Sequence, residues 1–169
     1  DGISAGASFK CDERPPVEGE IGVLKVSALT WGAYDEDESK TCKNVERIEK
    51  KFLVRDGDFL FSRANTIELV GACVIVGKVT KQLMLSDKTL RFELNSRVLP
   101  AWLQICLRCK FGRDEIERLA TGNQESMRNI GQDRIRQIRM PLPPLAEQVR
   151  IVAEVDRHLS IVREVEAEV

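Results

Sequence analysis

Three prolines in the run Met140-Pro141-Leu142-Pro143-Pro144-Leu145 constrain this chain more than any other feature. Proline fixes φ and carries no N–H, so the run is barred from helix and enters as extended chain. Pro144 can still open a helix, because a first-turn residue has no use for its missing donor. From Leu145 to Val169 neither Gly nor Pro interrupts. Those residues would span roughly 37 Å at helical rise. The pattern predicts a body over residues 1–140, an extended joint over 141–144 and a connecting helix over 145–169.

The chain has 169 residues, 43% hydrophobic and 31% charged, which suits one domain with a real core plus an appendage. No apolar run reaches membrane-spanning length; the longest, Val70 to Gly77, is strand-sized. The start, Asp1-Gly2-Ile3-Ser4, has no basic stretch followed by an apolar one, so a cytoplasmic protein is expected. Five scattered cysteines argue against a disulfide framework and for a reducing compartment. Cys106-Leu107-Arg108-Cys109 has C-x-x-C form, yet no second pair and no nearby His completes a zinc set. Its cysteines recur with Trp102 and Ile105 at helical spacing, so packing accounts for them. No metal or cofactor is expected.

The first forty residues read as irregular chain around one strand, Ile21 to Val26, followed by a solvated charge run, Asp35 to Lys40. Asp56-Gly57 between short apolar runs predicts a turn. Val70 to Val79 reads as a buried strand, and Leu90-Arg91-Phe92-Glu93-Leu94 alternates as a half-buried one. Helical spacing takes over after Pro100 and runs to Gly112. A second short helix, Asp114 to Leu119, precedes Gly122 as its cap. The body is therefore expected to be α+β, a mixed sheet-and-helix domain with strands early and helices late. On the last helix Val152, Val155, Leu159 and Val162 recur at spacings of three and four, a seam that wants a partner helix.

Catalytic constellations are poorly supported. The single His158 has no Ser or Cys placed beside it, and no Gly-rich phosphate loop follows a strand. Glu49-Lys50-Lys51 with upstream Asp35 or Asp37 has the form of a metal-dependent nuclease site, but it sits in a charge-rich segment where such patterns are common. Binding chemistry has more to use. Ser62, Arg63, Asn65 and Thr66 follow a strand end and bring guanidinium, amide and hydroxyls together. Lys88 and Arg91 form a small basic group, and Thr121, Asn123, Gln124, Ser126, Arg128 and Asn129 make the richest polar loop. Arg suits guanine, Asn suits adenine, and hydroxyls serve phosphates. A net charge of −1 opposes nucleic-acid binding, but its distribution does not. Residues 1–39 carry nine acidic groups against three basic ones, whereas residues 40–91 carry eleven basic against six acidic.

The run from Pro141 to Val152, Pro-Leu-Pro-Pro-Leu-Ala-Glu-Gln-Val-Arg-Ile-Val, resembles the junction that ends a target recognition domain in specificity subunits of type I restriction-modification systems. Gly57 to Arg63, Ser86-Asp87-Lys88, and Ala120-Thr121-Gly122 with Met127 to Ile130 extend the resemblance, in order, over most of the chain. It implies a non-catalytic component that reads one half of a split sequence in double-stranded DNA and docks a methyltransferase subunit and a restriction subunit. In that family shared motifs mostly hold the domain together, while base-reading residues vary. The connecting helix usually runs further and pairs antiparallel with that of a second recognition domain. Here it stops at Val169, so such pairing requires two associated copies. The residues leave two other readings open: the recognition end of a single-chain restriction-methyltransferase, and a coiled-coil adaptor without DNA affinity.

Overall fold

The computed structural model describes residues 2–43, 48–124 and 127–167. Its central sheet is antiparallel, in the order β1 (Gly2–Ala5), β11 (Thr89–Glu93), β7 (Phe59–Ser62), β9 (Cys73–Ile75). β7 is Phe-Leu-Phe-Ser, without alternation, because all four of its residues are buried. Phe59 and Phe61 stack on Phe92 at centroid distances of 5.6 and 5.1 Å and face a helical layer. Leu60 belongs instead to a cluster with Leu24, Leu29, Leu83 and Leu85, on the opposite side. A strand buried on both faces reads as a continuous apolar run.

That second layer is a smaller mixed sheet in the order β10 (Leu83–Met84), β3 (Gly22–Leu24), β6 (Ser39–Cys42), β2 (Cys11–Asp12). β10 runs parallel to β3; the other pairs are antiparallel. A hairpin, β4 (Leu29–Thr30) and β5 (Ala33–Tyr34), lies beside it in sequence. The first 42 residues are thus much richer in strands than expected. Short strands with few branched residues carry little local signal, and their partners lie far along the chain. The charge run is not merely solvated either. The Glu36 carboxylate accepts from the Thr80 and Lys81 backbone amides, and Ser39 and Thr41 are buried in β6. Of the expected strand over 70–79, only Cys73–Ile75 pairs as strand.

The helical layer holds α1 (Pro100–Arg108), α2 (Lys110–Leu119) and the short α3 (Gln132–Ile135). Helical spacing through residue 112 suggested one helix, but Cys109 turns extended at ψ 162° and breaks it. Gly112 explains the tight crossing that follows: a Cβ there would lie 2.0 Å from the Cys106 carbonyl oxygen. The last helix, α4, runs from Leu145 to Ala167. Among the described residues, no helix is long and apolar enough to cross a membrane.

Besides the apolar cluster around Leu60, one charged side chain links the two sheets. The segment after the 3-10 turn Lys50–Phe52 runs along β10, with the Val54 amide donating to Leu83 and the Leu85 amide to Phe52. Arg91 of β11 reaches across to it, donating to the Lys51 carbonyl at 2.8 Å and to that of Leu53. It also pairs with Asp58 at 2.6 Å, with both side chains about a tenth exposed. Arg91 and Lys88 therefore do not form the surface pair expected from the sequence, because strand direction turns Arg91 inward. Removing one partner of a buried ion pair costs about 3–5 kcal/mol. Asp58→Ala is accordingly expected to lower unfolding free energy by about that much in urea titration; an unchanged midpoint would refute the tie.

Candidate nucleic-acid interface

Two polar loops that lie more than fifty residues apart in sequence form one surface. β8 (Ala64–Asn65) continues from β7, and it pairs with β13 (Met127–Asn129), which pairs in turn with β12 (Thr121–Gln124). Asn65 stands opposite Arg128, and Ala64 opposite Asn129. Arg63 is held in place by its backbone: its amide donates to the Lys88 carbonyl, and its own carbonyl accepts from Ile130. Its guanidinium donates to the Asn129 side-chain oxygen at 3.3–3.4 Å. Ser62, Arg63, Asn65, Lys88 and the strands β12 and β13 are thereby brought together.

The candidates differ in what they have left to offer. Ser62 is buried, its Oγ accepting from the Asn65 amide at 3.5 Å, and so it is a support. Thr66 sits at the root of a turn, its carbonyl accepting from Leu69 and Val70 and its amide donating to Asn65. Arg128 folds back on its own hairpin, donating to the Gly122 and Ala120 carbonyls, while its Nε is buried without a partner. Gly122 takes φ +116°, and a Cβ there would meet the Met127 carbonyl at 2.5 Å, so only glycine suits this turn. Thr121 donates to the Asn129 carbonyl at 3.1 Å. Gln124 and Asn129 are exposed at the hairpin surface. Ser126 and the Asn123 side chain lie outside the described residues. Arg91, as described above, belongs to the interior.

Beside this small sheet lies an open groove of about 690 Å³, lined by Asn65, Ser86 and Lys88 on one side and by Lys25, Ser27 and Lys40 on the other. Lys40 pairs with Glu13 at 2.6 Å, whereas Lys25 and Lys88 make no ion pair among the described residues. Sequence reasoning missed Lys25, Ser27 and Lys40. The only signal was Lys25 inside the apolar run 21–26, and nothing local says that this strand end faces residue 88. Among the described residues, no group of three or more His, Cys, Asp or Glu could hold a metal ion. Lys51 of the nuclease-like pattern pairs with its neighbour Glu49. His158 is a surface residue bonded to Glu154, whose carboxyl is pulled down to about 2 by Arg157 and His158.

The root of α4 is built around one amide. Gln148 is fully buried; its Oε1 accepts from the Leu99 amide, the residue preceding α1, at 2.8 Å. Its Nε2 donates to the Arg97 and Pro143 carbonyls at 2.8 and 2.9 Å. Trp102 Nε1 donates to Pro141, so the proline joint is pinned at both ends. Val152 packs on Trp102 and Cys106, docking the helix to its own body rather than to a partner. Val155 is half-buried, and beyond it Leu159, Ile161, Val162 and Val165 are 42–58% exposed.

No family model matches the chain. The EcoEI type I restriction enzyme specificity subunit of Escherichia coli is 35% identical over 156 residues, which is 91% of this chain and 26% of that protein. The EcoKI specificity subunit of Escherichia coli strain K12 is 27% identical over 158 residues, 91% of this chain and 34% of its own length. Over most of its length, the chain is similar to a segment of type I specificity subunits. It spans only a quarter to a third of those relatives. The fold agrees with solved S subunits: TM-score 0.60 and 19% identity to the HsdS subunit of Thermoanaerobacter tengcongensis, covering 93% of this chain and 41% of that one. The S subunit from M. genitalium gives 0.57 at 13% identity, covering 98% of this chain and 38% of that one.

Leaving a buried donor or acceptor unsatisfied costs about 1–3 kcal/mol. Gln148→Leu orphans the Leu99 amide and two carbonyls, so it is expected to destabilise the chain by at least about that much. Hydrogen exchange of the Leu99 amide should speed up in parallel, and unchanged protection would refute the clamp.

Proposed function

We propose that this chain is a sequence-specific DNA recognition module of a type I restriction-modification complex, binding one half of a bipartite target. The observation that carries the proposal is that Arg63, Gln124 and Asn129 gather on the small sheet β12-β13-β8, which adjoins, through Asn65 and Lys88, a groove that also holds Lys25. Lys25 and Lys88 hold backbone phosphates and set register, while Gln124, Asn129 and Arg63 face base edges. The similarity to specificity subunits supports this role; on this reading catalysis belongs to other chains, and methyltransferase and restriction subunits dock on this one. The exposed part of α4 pairs with the corresponding helix of a second recognition domain, so that two half-sites are read at fixed spacing. The natural setting is the cytoplasm, where such DNA lies.

Duplex binding by fluorescence anisotropy at several salt concentrations tests this reading. Each neutralised phosphate contributes about 0.9 to the slope of log affinity against log salt. Lys25→Ala with Lys88→Ala should therefore flatten the slope by about two. Asn129→Ala should instead relax base preference in a selected duplex pool, with a loss of about 1–3 kcal/mol at one position. Salt-independent binding, or none in the presence of the methyltransferase subunit, would refute the proposal. Leu159→Asp should abolish helix-mediated association in sedimentation without altering DNA affinity per recognition domain.

A further inference from the structure

Cys11 of β2 and Cys42 of β6 stand directly opposite each other in the antiparallel register. The Lys43 amide donates to the Lys10 carbonyl one rung outward, while the Cys42 amide donates away, to Ile21 on the other neighbour. Cys11 and Cys42 are therefore a non-hydrogen-bonded pair, the kind in which side chains lie closest and Cα atoms sit about 4.5 Å apart. That spacing lies at the short edge of the disulfide window, about 4.4–6.8 Å. Both side chains join the same apolar cluster with Val23 and Met84, so they point to the same side of the sheet. Cys11 is half-exposed and lines the groove; Cys42 is buried behind it.

We propose that Cys11 and Cys42 are a dithiol site that closes reversibly into a cross-strand disulfide when met by a low-molecular-weight disulfide. The accessible Cys11 thiolate attacks one sulfur of the small disulfide, and the first small thiol leaves. The Cys42 thiolate then attacks the Cys11 sulfur, and the second small thiol leaves. Two protein thiols are oxidised, one small disulfide is reduced to two thiols, and the two protons depart with those thiols. Burial and the neighbouring Cys42 raise the Cys11 thiol above its ordinary value, so the reaction quickens as pH rises through the alkaline range.

The other cysteines are poor competitors. Cys73 is fully enclosed, and burial pushes its thiol up to about 12. Cys106 packs inward against Trp102 and Val152, while the exposed Cys109 donates its thiol to the Cys106 carbonyl.

The intact protein incubated with oxidised glutathione, blocked with an alkylating agent and mapped by mass spectrometry, provides the test. The expected result is one Cys11–Cys42 cross-linked peptide, reversed by a dithiol reductant. Cys11→Ser should yield no cross-link to Cys42, while its unfolding curve stays two-state. Alkylated Cys11 and Cys42 after oxidation, or a cross-link confined to Cys106 and Cys109, would overturn the proposal. One further arm rests on the DNA reading above: a saturating duplex should slow oxidation several-fold, because Cys11 lines the groove. Bound duplex with an unchanged rate would overturn the groove as the DNA seat and leave the disulfide standing.

Discussion

The two sheets share no strand; they meet through an apolar cluster around Leu60, and the Arg91 guanidinium adds the charged tie between them. From β11 it holds two carbonyls of the segment that runs along β10, and its charge is balanced by Asp58 at the start of β7. A point contact between charged groups would add little at a surface. In the interior, fixed by several hydrogen bonds, it reinforces the apolar contact between the two layers. The candidate interface depends on that contact, because one wall of the groove comes from the small sheet and the other from the turn before β11. Lys25 and Lys88 face the same space only while the layers keep their spacing.

The interface itself divides support from contact. Ser62, Thr66 and Arg128 use their polar groups on nearby backbone or side chains, and Gly122 supplies the one backbone shape that lets the hairpin close. Asn129, Gln124 and the two lysines remain presented to solvent or groove. Residues that hold a frame tolerate little change, whereas those presented on it can vary without disturbing the fold.

Much of the architecture was legible where local pattern and final structure agree. The proline joint and the uninterrupted stretch after it specify α4; the alternation of Leu90 to Leu94 specifies β11. The polar segments at 62–66 and 121–129 were readable as loops rich in recognition groups, but not as neighbours. Their pairing is made by two- to four-residue strands whose stability comes wholly from partners far away in sequence. Arg91 was misread, and Gln148 went unremarked, for a related reason. A charged or amide side chain in a pattern looks solvent-facing, and only the carbonyls that converge on it reveal that it is buried. Lys25 is the converse, a cation in an apolar run that becomes informative only when a groove opens beside it.

The amide of Gln148 acts at the fulcrum of a lever. From there to Ala167 the helix extends nearly 30 Å at helical rise. An angular error of about 5° at the root would displace the far end by about 2.5 Å over that length. Three hydrogen bonds to one planar group resist that rotation about every axis at once, which a purely apolar contact would not. Whatever meets the far end of this arm inherits its position from one carboxamide and the single turn packed beside it.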